Sequence, residues 1–138
     1  MRFLLDTSFL VSLLRGAPWA RAALAGLKTT DVGVSAVTAG ELFEGVYRSA
    51  APAVEERKVQ QILAPLAVIP FGLAEAQQWG MLEATLHRAG APIEAEDAQI
   101  AATALVHGLA VVTANVRHFA RVKGLEVEDW QTNPPPEG

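Results

Sequence analysis

The chain has 138 residues, is 51% hydrophobic, contains no cysteine and carries a net charge of −4. That length fits one domain with a core of its own. The missing cysteine excludes disulfides, thiolate nucleophiles and zinc–thiolate sites, and makes a reducing compartment, the cytoplasm, the expected home. The acidic balance excludes a broadly basic nucleic-acid binder, though a metal ion and a few local arginines can still hold a substrate's phosphates.

The elements follow in chain order. "RFLLD" reads as a short buried strand, an apolar run that stops at Asp6. "SFLVSLLRG" reads as a helix closed by Gly16, and "PWARAALAGLK" as a second with Pro18 in its first turn. "DVGVSA" is a weak strand, and "VTAGELFEGVYRS" a helix whose apolar face holds Ala39, Leu42, Phe43 and Val46. A helix is expected from Pro52 to Leu63, then the strand "LAVIPF", where Pro70 marks an end or an edge. "LAEAQQWGMLEATLHRAG" is a long helix, and "EAEDAQIAATALVHG" another with Gly108 as its C-terminal cap. "LAVVTAN" is a buried strand, "VRHFARV" a helical turn and "LEVEDW" a last strand. The domain is expected to span residues 1–130, with 131–138, "QTNPPPEG", a disordered Pro-rich tail.

No signal peptide is legible, because the N-terminal apolar stretch is short and contains Asp6. No apolar run is long enough for a membrane span. Alternating strands and helices imply an α/β domain with a mostly parallel sheet covered on both faces. In such sheets the functional crevice lies beyond the carboxyl ends of the strands. A mean hydropathy of +0.24 points either to an extra apolar surface for a partner or to an Ala-rich helical composition.

Four places put chemistry-bearing residues near that crevice. Asp6 ends the first strand; its plainer role is to cap the next helix, which Thr7 or Ser8 could do as well. Thr38 and Glu41 have capping-box spacing, yet Glu41 falls on the face away from Leu42, Phe43 and Val46, and Gly45 leaves space one turn beyond it. Asp97 lies in line with Ile100, Ala101, Ala104 and Leu105, so it faces the core, where a partner for the helix dipole has no need to be. Glu94 and Glu96 are well explained by that dipole. Thr113 and Asn115 end the buried run "LAVV", and Asn115 can cap the following turn.

Carboxylates gathered in one crevice repel unless protonated or bridged by a cation. An all-oxygen ligand set suits Mg²⁺ or Mn²⁺. There is no P-loop and no G-x-S-x-G elbow. The histidines lack ligand spacing: His107 reads as a helix C-terminal cap, His87 as surface, and His118, beside Arg117, as a minor candidate for a phosphate contact. Trp19, Trp79 and Trp130 read as packing residues.

"FLLDTSFL", "SAVTAGELFEGV", "EDAQIAATAL" and "VVTANVRHFARVKGLEVEDW" resemble, in order and spacing, the four segments of PIN-domain ribonucleases, above all the toxins of VapBC-type toxin–antitoxin pairs. The resemblance covers all but the tail. It implies a three-layer α/β/α fold and a Mg²⁺- or Mn²⁺-dependent endoribonuclease with metal-binding acids at Asp6, Glu41 and Asp97. The fourth position holds Asn115 where many members carry an acid, so a second metal has less charge to bind it. Thr7, Thr113 and Arg117 are expected to support the site. The resemblance further implies an RNA substrate, a homodimer and a small antitoxin lying over an apolar groove. The competing readings are a non-catalytic antitoxin-binding co-repressor or RNA-binding module, favoured by Asn115, and a phosphatase or DNA nuclease using the same acids.

Overall fold

The computed structural model describes residues 1–135. Five strands form one sheet: β1 (Phe3–Leu5), β2 (Val32–Ser35), β3 (Ala67–Ile69), β4 (Ala110–Val112) and β5 (Val127–Glu128). Their order is β3-β2-β1-β4-β5 and every pairing is parallel. The chain winds outward from β1 to β3, then crosses back to lay β4 on the other side of β1. The connection therefore reverses between β1 and β4, the place where a parallel sheet opens a crevice at its carboxyl ends. Asp6 stands there, its backbone N–H donating to the Val112 carbonyl at 2.9 Å.

Seven α-helices connect the strands among the described residues: α1 (Thr7–Leu14), α2 (Pro18–Ala25), α3 (Ala36–Tyr47), α4 (Pro52–Leu63), α5 (Leu73–Arg88), α6 (Ala95–His107) and α7 (Val116–Phe119). Pro18 and Pro52 open their helices at a position where the missing N–H costs nothing. Gly108 ends α6 with φ 65°, the left-handed conformation that glycine adopts without strain.

The two-residue period of the strands builds both outer layers. Phe3, Leu5, Val32, Val34, Ala110 and Val112 belong to one core with α1 to α4, where Phe9, Leu10 and Val59 pack. Leu4 and Val111 point the other way, into a core with Ile100, Ala101 and Phe119 from α6 and α7. The central strands are buried on both faces, so their sequence shows continuous apolar runs. The edge strand β3 departs from this pattern: Ala67 and Val68 are exposed, and Pro70 follows its last residue.

The tryptophans are packing residues. Trp130 is 1% exposed, lies edge-to-face with Phe3 and Phe9 at 5.0 and 5.4 Å, and donates its Nε1–H to Glu128 Oε1. Trp19 meets Phe9, and Trp79 meets Phe71, in the same edge-on manner. Beyond Trp130 the chain turns on Asp129, which accepts from Gln131 N, Thr132 Oγ1 and, through its carbonyl, Asn133 N. Pro134 and Pro135 line a cavity with Trp19 and Trp130. The rest of the Pro-rich tail expected to be disordered, residues 136–138, lies outside the described residues.

His107 sits in the last turn of α6, but its ring does not cap the helix. It bonds Glu75, in the first turn of α5, at 3.0 Å and so ties two helices together. The His107 hydrogen bond holds the Glu75 carboxyl below its ordinary value of 4.5. A depressed folded value means that the pair stabilises above the ordinary value and that this contribution is lost as pH falls through the lower folded one. Glu75→Gln is therefore expected to melt below the parent at neutral pH, with the gap closing as pH drops beneath 4.5. Parallel thermal melts over that range test it; a gap independent of pH would contradict the pairing.

Candidate active site

Asp6 ends the central strand and occupies the N-cap position of α1, yet its side chain makes no capping hydrogen bond. It is 2% exposed, and its Oδ2 accepts from Ser8 Oγ at 3.0 Å and from Thr113 Oγ1 at 2.7 Å. The helix-cap explanation of this charge is thus overturned by direction: the carboxylate points across the switch point to the end of β4. A buried carboxylate needs such donors, because leaving it unpaired away from water costs several kcal/mol, on the order of a lost charged hydrogen bond or more.

Glu41 is not the partner of a capping box either. Ser35 caps α3, accepting from Val37 N at 3.0 Å, while Thr38 is fully buried within the helix. Glu41 instead accepts from Thr7 Oγ1 at 2.7 Å, across 34 residues of sequence. The space above Gly45 is open, and both residues line a cavity of about 550 Å³ with Thr7. Asp97, in the first turn of α6, is half-buried with 15% of its side chain exposed, and its Oδ2 meets His118 Nδ1 at 3.2 Å. Glu94 and Glu96 are exposed, as the dipole reading required.

The three acids feel one another. Burial, followed by the charges of Asp6, Glu96 and Asp97, pushes the Glu41 carboxyl above its ordinary value, against the hydrogen bond from Thr7. Burial, then the charge of Asp6, raises Asp97 against the pull of His118. Ionising Glu41 and Asp97 is therefore costly, first through burial and then through the charge of their neighbours. Among the described residues no three His, Cys, Asp or Glu side chains stand close enough to enclose an ion. Each of the three acids is held by hydrogen bonds of its own. One oxygen of each carboxylate is tied to a neighbour: Asp6 Oδ2 to Ser8 and Thr113, Glu41 Oε1 to Thr7, Asp97 Oδ2 to His118. Among the described residues the second oxygen of each has no hydrogen-bond partner, and none of the three is sealed from solvent, since Trp79 Nε1 is the one buried side-chain polar atom there without a partner. Three anchored carboxylates, each with its second oxygen free, fit a hard divalent cation in the chemistry of their donors.

The remaining expected residues divide. Thr113 is 2% exposed and bonds Asp6 directly. Thr7 orients Glu41. Asn115 is exposed at the N-cap of α7 without a side-chain capping bond, and only its backbone N–H, donating to Thr113 Oγ1 at 2.9 Å, joins the network. Arg117 is exposed on α7 and forms no ion pair among the described residues. Two contributors escaped sequence reasoning. His118, a minor phosphate candidate by its neighbours, pairs with Asp97; the one signal was its place in the turn after the β4 end. Ser8 reads from the sequence as a helix cap, standing where a phospho-aspartyl enzyme would need a second Asp, and no local spacing connects it to Thr113.

A family model described as "PIN domain" matches residues 3–125. The chain is 32% identical to the tRNA(fMet)-specific endonuclease VapC of Salmonella typhimurium, over 94% of its own length and 98% of the relative's. Among solved structures, DNA-bound VapBC from Salmonella typhimurium superposes with a TM-score of 0.90 at 32% identity, covering 94% of this chain and 98% of that one. VapBC2 from Rickettsia felis bound to a promoter DNA fragment follows with a TM-score of 0.88 at 26% identity, covering 94% and 99%.

Proposed function

This chain belongs to the PIN-domain family, on its VapC branch, and on that footing we propose that it is a divalent-metal-dependent endoribonuclease, the toxin of a toxin–antitoxin pair. The observation that carries the reading within the molecule is that Asp6, Glu41 and Asp97 are near enough for the charge of Asp6 to act on both others, while each keeps one oxygen anchored and one free. These three would hold the ion, Mg²⁺ or Mn²⁺, and the nuclease domain is assigned to residues 1–130. When bound, such an ion supplies positive charge to the phosphate and makes water more acidic.

The chain's own residues do the positioning. Thr7 aims Glu41, His118 aims Asp97, and Thr113 aims Asp6. Asn115 and Arg117 stand on α7 at the rim, where an amide oxygen and a guanidinium can order water and steady a phosphate. With a net charge of −4, the protein relies on that local cation rather than on a broad basic face.

The apolar excess has a place. Val11, Leu14, Leu42, Val46 and Val59 line the cavity that opens beside Glu41. A cognate antitoxin covering that groove would bury apolar surface and close the crevice together. No helix among the described residues is long and apolar enough to cross a membrane, and the lack of cysteine fits the cytoplasm. A homodimer is the proposed state of the toxin.

The test is a substrate panel with and without Mn²⁺ or Mg²⁺: structured RNA including initiator tRNA, single-stranded RNA, DNA and a phosphomonoester. Endonucleolytic cleavage of RNA alone, abolished by chelation, is expected. Cleavage of DNA or of the monoester in preference would transfer the same acids to the rival chemistry. No cleavage of any of them would favour the binding-module reading that Asn115 permits.

A further inference from the structure

We propose that Ser8 is a positioning residue of the nuclease centre: it locks Asp6 to the end of β4 and thereby sets which carboxylate oxygen faces the ion. The proposal rests on the nuclease reading above and assigns a role to a residue outside the expected set.

The argument is a count of protons. Ser8 and Thr113 each carry one hydroxyl hydrogen, and each donates to the same atom, Asp6 Oδ2, at 3.0 and 2.7 Å. Each also accepts from a backbone amide: Ser8 Oγ from Ala114 N at 3.0 Å, and Thr113 Oγ1 from Asn115 N at 2.9 Å. Each amide thus occupies one of its hydroxyl's two lone pairs, and because a carboxylate is a stronger acceptor than the neighbouring hydroxyl, both hydroxyl protons go to Asp6 Oδ2. The two hydroxyl oxygens lie 3.3 Å apart, side by side on that oxygen. With Oδ2 doubly occupied and the ring of bonds closed, the carboxylate plane is fixed and Oδ1 is turned to the crevice.

Ser8 does what Thr113 alone cannot. Thr113 and its amide partner both belong to the β4 end. Ser8 belongs to α1, and its bond to Ala114 N ties that helix to the β4–α7 connection, 106 residues away. The same connection leads into α7, which carries the His118 that anchors Asp97. Ser8 therefore couples the placement of Asp6 to that of the element orienting a second acid. Groups that orient metal-binding carboxylates in this way typically change metal affinity or activity about 10- to 100-fold when removed.

The experiment measures Mn²⁺ affinity by calorimetry without RNA, and kcat and KM for RNA separately, in the parent, Ser8→Ala, Ser8→Thr and Asp97→Asn. Ser8→Ala is expected to weaken Mn²⁺ binding and lower kcat, each roughly 10- to 100-fold, with KM within about twofold. Ser8→Thr keeps the hydroxyl at a half-buried position and should restore both. Should Ser8→Ala fail to fold, Ser8→Cys gives the same comparison, being similar in shape and a poor donor. Unchanged Mn²⁺ affinity in a folded Ser8→Ala or Ser8→Cys, or failure of Ser8→Thr to restore it, overturns the proposal. If the parent itself cuts no RNA in the presence of Mn²⁺, the nuclease reading falls, whatever Ser8 does; if Asp97→Asn retains both Mn²⁺ binding and cleavage, the acid site that Ser8 is proposed to order is misplaced and the proposal falls with it.

Discussion

Asp97→Asn is expected to leave a folded domain that cuts RNA roughly a thousandfold more slowly or not at all. The replacement keeps the size and shape of the side chain, and an amide oxygen can still meet His118. What it removes is the charge on an oxygen open to the crevice. Stability should not suffer. Burial and the charge of Asp6 hold the Asp97 carboxyl above its ordinary value of 3.8, so ionising it costs the folded state. A group with a raised folded value contributes stability that is fully present below the ordinary value and is lost as pH rises through the higher one. The parent should therefore melt no higher than Asp97→Asn at neutral pH, and its melting temperature should fall relative to the variant's as pH rises above 3.8. Cleavage within tenfold of the parent would remove Asp97 from the active site.

Asp6→Asn should separate metal binding from helix capping. Ser8 and Thr113 can both donate to the amide oxygen as they do to Oδ2, so the local geometry is kept while the charge is lost. The Asp6 charge is among the causes that raise both Glu41 and Asp97. Without it, the variant free of metal should melt slightly higher than the parent. An ion that binds only the folded state stabilises it by about 2.7 kcal/mol at a hundredfold excess over its dissociation constant, a shift of roughly 10 °C for a domain of this size. That shift should appear in the parent on adding Mn²⁺ and largely vanish in Asp6→Asn. Since Asp6 makes no side-chain cap, loss of capping cannot imitate the result. Equal Mn²⁺ shifts in the two proteins would mean that the ion binds elsewhere.

Both expectations start from a feature legible in the chain alone. The apolar runs, their two-residue and 3.6-residue periods and the punctuation by proline and glycine determine the order of strands and helices, down to Pro52 opening α4 and Gly108 closing α6. A charge at the tip of a buried strand, and another on a core-facing helical stripe, stand out because burial of a carboxylate is costly wherever it occurs in a sequence. Asp6 and Asp97 therefore stand out from their local surroundings, whereas Glu41, on the face away from the apolar stripe, is picked out by the family resemblance. Their partners do not stand out. Thr38 and Glu41 have the spacing of a capping box, but Ser35 takes the cap and Thr7 takes the glutamate. Ser8 reads as one of three equal candidates to cap α1, yet its hydroxyl reaches Asp6 and the amide of Ala114. His107 and His118 find Glu75 and Asp97 on other elements. In each case two hydrogen-bonding choices of similar strength were open locally. The parallel crossovers decided between them by bringing β1 beside β4, with Thr113 meeting Asp6 across 107 residues. Local spacing determines which bonds a residue can make with its own turn; which of them survives depends on the neighbours that strand order delivers.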